Sequence, residues 1–195
     1  DDMAREVSRR FKIPLYDSID EALCAGGDQL AVDAVLSIGE HGDYPHSETG
    51  RHMYPRKRFF DEAIEVMRRS NQYVPLFNDK HLSYRWDWAK EMVDTAKELG
   101  IPLMAGSSVP LAERRPQLEI PRGAELEEAV SIHGGGVESY DFHALETIQC
   151  MAERRQGGET GVKWLEALRG EAVWKAMEQG SFEQGGWNPD LFHAC

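Results

Sequence analysis

The stretch Tyr73-Val74-Pro75-Leu76-Phe77-Asn78-Asp79-Lys80-His81 decides how this chain is read. It is a short apolar β-type run that ends abruptly in polar, ionisable residues. Downstream, Ser83 is placed to cap a helix over residues 84–99, on which Trp88, Met92, Ala96 and Leu99 share a face. Gly100 ends that helix, and Ile101-Pro102-Leu103-Met104-Ala105 is the next strand, closing in Gly106-Ser107-Ser108. Upstream, residues 58–70 predict a helix with Phe60, Ile64 and Met67 on one face, and residues 32–39 predict an earlier buried strand. Strand, helix, strand, helix, strand at these spacings is the signature of β-α-β units in a parallel sheet.

The flanks are less regular. Met3, Val7 and Phe11, four apart, predict the end of a helix, and Ser18-x-x-Glu21 has the form of a capping box. Residues 40–55 read as a polar loop. Past Pro110 the texture changes: residues 128–132 predict a strand, Gly134-Gly135-Gly136 breaks it, and residues 142–154 and 161–178 predict helices. The expected architecture is therefore α/β: a partial Rossmann-like parallel sheet over residues 1–110, then the start of an α+β domain over residues 111–195. Trp86, Trp88, Trp164 and Trp174 are expected in cores. The chain begins Asp1-Asp2 without Met and stops at Cys195 after a Gly- and Pro-rich stretch, so both ends read as truncated.

Composition narrows the function. Against 34 Asp and Glu stand 22 Lys and Arg, a formal charge of −12 across 195 residues. That balance argues against nucleic acid and against an anionic membrane surface as partners. No apolar run is long enough to span a bilayer. Cys24, Cys150 and Cys195 are odd in number, far apart and without C-x-x-C spacing, which points away from a disulfide framework and towards a reducing, cytoplasmic setting.

In open parallel sheets ligands lie outside the carboxyl ends of the strands. Three successive strand ends here are polar: Glu40-His41-Gly42-Asp43, Asp79-Lys80-His81 and Gly106-Ser107-Ser108. A lysine between a carboxylate and an imidazole can act as acid or base, and it reads equally as a solvated strand-end lysine. Farther on, Glu138 and Asp141 lie near a helix start, and His143 and Glu146 are one turn apart. Of these, His143 reads as a proton carrier or as a helix-end histidine bonded to local backbone. The types Glu40, His41, His81 and His133 would also suit a metal ion, although no tight ligand spacing occurs. The patterns G-x-G-x-x-G, G-x-x-x-x-G-K-[ST] and G-x-S-x-G are all missing from the sequence.

The run 73–82, the helix after it and the strand 101–105 together resemble the Gfo/Idh/MocA oxidoreductases, in which a strand of the Rossmann domain ends in Glu-Lys-Pro; here Asp79-Lys80-His81 stands in that place. Residues 11–23 and 32–36 resemble the family's stretch before and within its fourth strand. The turn at Gly134–Gly136 and His143-x-x-Glu146 resemble its glycine-rich turn and His-x-x-Asp helix. The resemblance implies NAD or NADP as cofactor and hydride transfer at a sugar-like or polyol hydroxyl or carbonyl. It places the family's lysine role on Lys80 and its acid–base histidine on His143. Around these, Glu40, His41 and Asp79 would line the cofactor, and His81, Glu138 and Asp141 the carbohydrate-like substrate. It also implies a homo-oligomer, and it leaves the first strands and the glycine fingerprint to be sought upstream. Ser139 departs from the pattern, which has an aspartate four residues before the histidine. Two other readings stand beside this one: a metal-dependent lyase or isomerase on the same scaffold, and a homologue that has lost turnover.

Overall fold

The computed structural model describes residues 2–39, 42–180 and 182–195. The chain divides into two compact units, residues 1–107 and 108–195. The first is α/β, built on a three-stranded parallel sheet in the order β1-β2-β3. Its elements in chain order are α1 (Asp2–Phe11), α2 (Ile19–Leu23), β1 (Val35–Ser37), α3 (Arg56–Ser70), β2 (Leu76–Asp79), α4 (Trp86–Glu98) and β3 (Leu103–Gly106).

Local chemistry sets the boundaries. Two strands start one residue after a proline, Pro75 before β2 and Pro102 before β3, because proline has no N–H for the ladder. Their carbonyls still serve it: Val35 N–H donates to Pro75 O at 2.9 Å, and Leu76 N–H to Pro102 O at 2.9 Å. The Ser18 hydroxyl accepts the Glu21 N–H at 3.1 Å and opens α2. Ser83 does not cap α4. Its hydroxyl accepts the Arg85 N–H at 3.2 Å, and the helix starts at Trp86.

The sheet has two unlike faces. Val35, Leu76 and Leu103 are register mates, and all three belong to one core with Phe60, Ile64 and Met67 of α3 and Met92 and Ala96 of α4. Both crossover helices therefore pack on the same face. The alternate residues Leu36, Phe77 and Met104 are also register mates and form a row on the opposite face. There Leu36 and Met104 are each 68% exposed. The apolar stripe of α1, Met3, Val7 and Phe11, is also exposed.

The second unit holds a 3₁₀ turn (Val109–Leu111), α5 (Val137–Ala152), α6 (Glu171–Glu178), a second 3₁₀ turn (Phe182–Gln184) and α7 (Pro189–Ala194). The strand expected over 128–132 is irregular chain, since no neighbouring strand is there to take its backbone groups. Among the described residues the β content of this unit is one isolated bridge, Ala124 to Arg155. The helix expected over 161–178 begins only at Glu171. Gly161 and Gly170 have φ of 76° and 58°, outside the helical region. Conversely α5 starts five residues ahead of its expected start, directly after Gly136, so Glu138 and Asp141 are both within it. The tryptophans are less buried than expected. Trp86, the first residue of α4, is largely exposed, and Trp164, which stacks on Phe182 at 4.4 Å, and Trp174 are about half exposed.

Among the described residues no helix is long and apolar enough to cross a membrane.

Candidate functional site

At the carboxyl edge of the first unit's sheet, Asn78 organises the chain. Its side chain is buried at 1% exposure, because it lies on the helix-covered face two residues after Leu76. The Nδ2 amide donates to the carbonyls of Asp79 and His81, each at 3.2 Å. Those two bonds bend the backbone out of the strand, and Lys80 adopts a left-handed φ of 65°. The Lys80 N–H donates to Gly106 O at 3.0 Å, tying the bend to the end of β3. Its Nζ sits 2.7 Å from Asp79 Oδ2, and both side chains are shielded, at 19% and 13% exposure. A shielded amine–carboxylate pair at a strand end interacts more strongly than a solvated one.

His81 is half-buried beside it. Arg56 Nη1 lies 3.0 Å from His81 Nε2. A guanidinium can only donate, so Nε2 accepts and the His81 proton sits on Nδ1. Arg56 itself is 3% exposed, at the first turn of α3, with its guanidinium 4.5 Å from the centre of the Tyr54 ring. The Tyr54 ring meets His81 edge-on at 5.9 Å. Tyr54 ends a small hairpin. An antiparallel bridge joins His46 to His52, and Tyr44, His46, His52 and Tyr54 form a continuous run of ring contacts along it. Between α2, β1 and α3 lies an apolar cavity of about 290 Å³, with Leu23, Leu36, Ile38 and Phe59 in its lining. Such a lining suits an apolar group and not a phosphate.

The second unit has its own cluster. His143 is buried on α5, and its ring lies 6.2 Å from that of His133 and 6.1 Å from that of Tyr140. His133 Nδ1 is 2.9 Å from the Gly134 carbonyl, which can only accept, so this nitrogen carries the proton. The glycine turn serves packing: Gly135 has φ of 124°, and a Cβ there would meet the Tyr140 ring at 2.5 Å.

The structure therefore brings Asp79, Lys80 and His81 together in the first unit, with Arg56 and Tyr54 behind them. It brings His133 beside His143 in the second. Glu138 and Asp141 lie on exposed positions of α5. Glu40 and His41 fall outside the described residues. Among the described residues no three His, Cys, Asp or Glu side chains converge as a metal site. Sequence reading missed Asn78, Arg56, Tyr54 and the paired rings of the hairpin. The alternation Tyr44-x-His46 and His52-x-Tyr54 around Ser47-Glu48-Thr49-Gly50 is a hairpin pattern and was the available signal. Comparison with protein-family models, curated proteins and solved structures finds no match for this chain.

Proposed function

We propose that the chain supplies the reacting end of an NAD(P)-dependent oxidoreductase site, of the Gfo/Idh/MocA kind, acting on a hydroxyl or carbonyl of a sugar-like molecule. The observation that supports this reading best is Lys80, a shielded amine at the carboxyl edge of a parallel sheet, held by Asp79 at 2.7 Å and by a strained backbone. Strain of this type concentrates where a side chain must be aimed. An ammonium so placed donates to the oxygen of a substrate hydroxyl and stabilises the negative charge that develops there as its proton leaves. His143 is the proposed proton carrier of this reading.

A whole dinucleotide asks for more. Its pyrophosphate rests on a glycine turn between a strand and a helix N-terminus. Here α3 and α4 are preceded by Pro55 and Arg85, not by glycine. These two helix starts therefore do not fit a pyrophosphate.

This makes a discriminating test. Reduced nicotinamide mononucleotide and NADH are titrated into the chain by fluorescence, with and without a panel of polyols and aldoses. The expected result is saturable binding of both, NADH no tighter than the mononucleotide, and weakening of both by Lys80→Ala. If neither binds and no sugar registers, the redox reading fails for this chain.

A further inference from the structure

The hairpin over residues 44–54 plays no part in the redox reading. Its turn is tightly built: Ser47 N–H donates to Arg51 O at 2.8 Å, and Ser47 Oγ accepts the Arg51 N–H at 3.0 Å. That closure sets His46 directly across from His52. Residues opposite each other on an antiparallel pair project to the same side. The two imidazoles accordingly stack, with centroids 4.6 Å apart and planes inclined by 11°. One of the rings is fixed more firmly than the other: His52 is half-buried against Tyr54, with centroids 4.2 Å apart, whereas His46 is exposed.

We propose that His46 and His52 form a two-histidine site for a divalent transition-metal ion, of the Zn²⁺, Cu²⁺ or Ni²⁺ class. Imidazole is a preferred ligand for all three. A shared ion needs one nitrogen from each ring at about 2.0–2.1 Å; the cross-strand pairing sets both rings on one side of the hairpin, and the exposed His46 is the ring that must turn to share an ion with the anchored His52. One nitrogen of each ring suffices, and the second is left to a hydrogen bond that orients the ring. Two protein ligands leave the other coordination positions to water or to an oxygen of a small molecule, as in an open site and not a structural one. The formal charge of −12 favours a cation at the surface. Ring contacts from Tyr54 to His81 place the anchored strand of the hairpin beside the end of β2, within the same unit.

The test uses the full 195-residue chain stripped of metal. Zn²⁺ binding is measured by calorimetry and Cu²⁺ coordination by electron paramagnetic resonance, for the native chain, His46→Gln, His52→Gln and the control His133→Gln. Far-UV circular dichroism checks that each variant folds. The expected result is saturable binding of a single ion at this site with nitrogen hyperfine structure from two imidazoles. Either hairpin variant should weaken Zn²⁺ by about tenfold or more, since removing a ligand costs at least as much as removing a group that only orients one. The control should bind as the native chain does. Absence of saturable binding in the native chain, or native affinity in both hairpin variants, overturns the proposal. If His52→Gln disturbs the hairpin, His46→Gln on the exposed side decides alone.

Discussion

Asn78 is the residue on which the geometry around Lys80 turns, and replacing it separates hydrogen bonding from packing. In Asn78→Asp the shape is kept, but the two N–H donors that now reach the carbonyls of Asp79 and His81 at 3.2 Å are lost. Each lost bond takes a donor from a half-buried carbonyl, at about 1–3 kcal/mol apiece. Allowing for partial relaxation, the expected loss is about 2–4 kcal/mol at neutral pH. The sign of the pH dependence follows. A carboxylate facing two carbonyls has its folded-state pKa raised above the unfolded value of about 3.9. Its penalty is therefore complete well above the folded pKa and shrinks as pH falls through it, because the protonated acid regains one donor. Asn78→Ala loses the same donors without that recovery. Urea unfolding followed by tryptophan fluorescence measures the stability at pH 7 and pH 4. Amide exchange at Lys80, whose N–H bonds to Gly106 O, gives the local readout and should quicken in both variants. If both variants stay within about 0.5 kcal/mol of the native chain, the range of an unremarkable surface change, the buried amide does not hold the bend and the account of the site is wrong.

Three further outcomes are expected. Lys80→Gly should be more stable than Lys80→Ala by about 1 kcal/mol in the same urea assay, because a left-handed φ of 65° strains any residue with a Cβ; equal stability would show that no strain resides there. Gly135→Ala should destabilise the second unit by about 1–3 kcal/mol, since its Cβ meets the Tyr140 ring at 2.5 Å and φ stays at 124°. Thermal unfolding of Gly135→Ala alone and with Tyr140→Ala should show partial rescue, and full rescue would remove the backbone component. Finally, the hydrogen bond from Arg69 holds Asp20 below the usual carboxylate range. A depressed folded pKa means stability present above about pH 4 and lost as pH falls through the folded value. Arg69→Met should therefore lower the urea midpoint slightly at pH 7 and leave it unchanged below the titration. A deficit that persists unaltered at low pH would assign it to packing.

Much of the first unit was legible in the residues. Apolar runs bounded by Pro75, Gly100 and Pro102, alternating with amphipathic segments, carry the strand–helix order because periodicity and proline act within a few residues. The Ser18 cap was legible for the same reason. The second unit was not. The 128–132 stretch has a strand's composition but no partner strand, and residues 161–170 have a helix's periodicity but two glycines in non-helical conformations.

The chain's own order of residues thus determined that three strands would alternate with two helices, and that Asp79, Lys80 and His81 would stand together at the end of the second strand. Tertiary structure alone decided that both helices cover one face and leave Leu36 and Met104 bare. It also decided that Arg56 reaches His81, and that His46 stacks on His52. The physical reason is range. Periodicity, caps and proline act over one or two turns of chain, whereas strand register and side-chain meetings depend on where distant segments close upon one another.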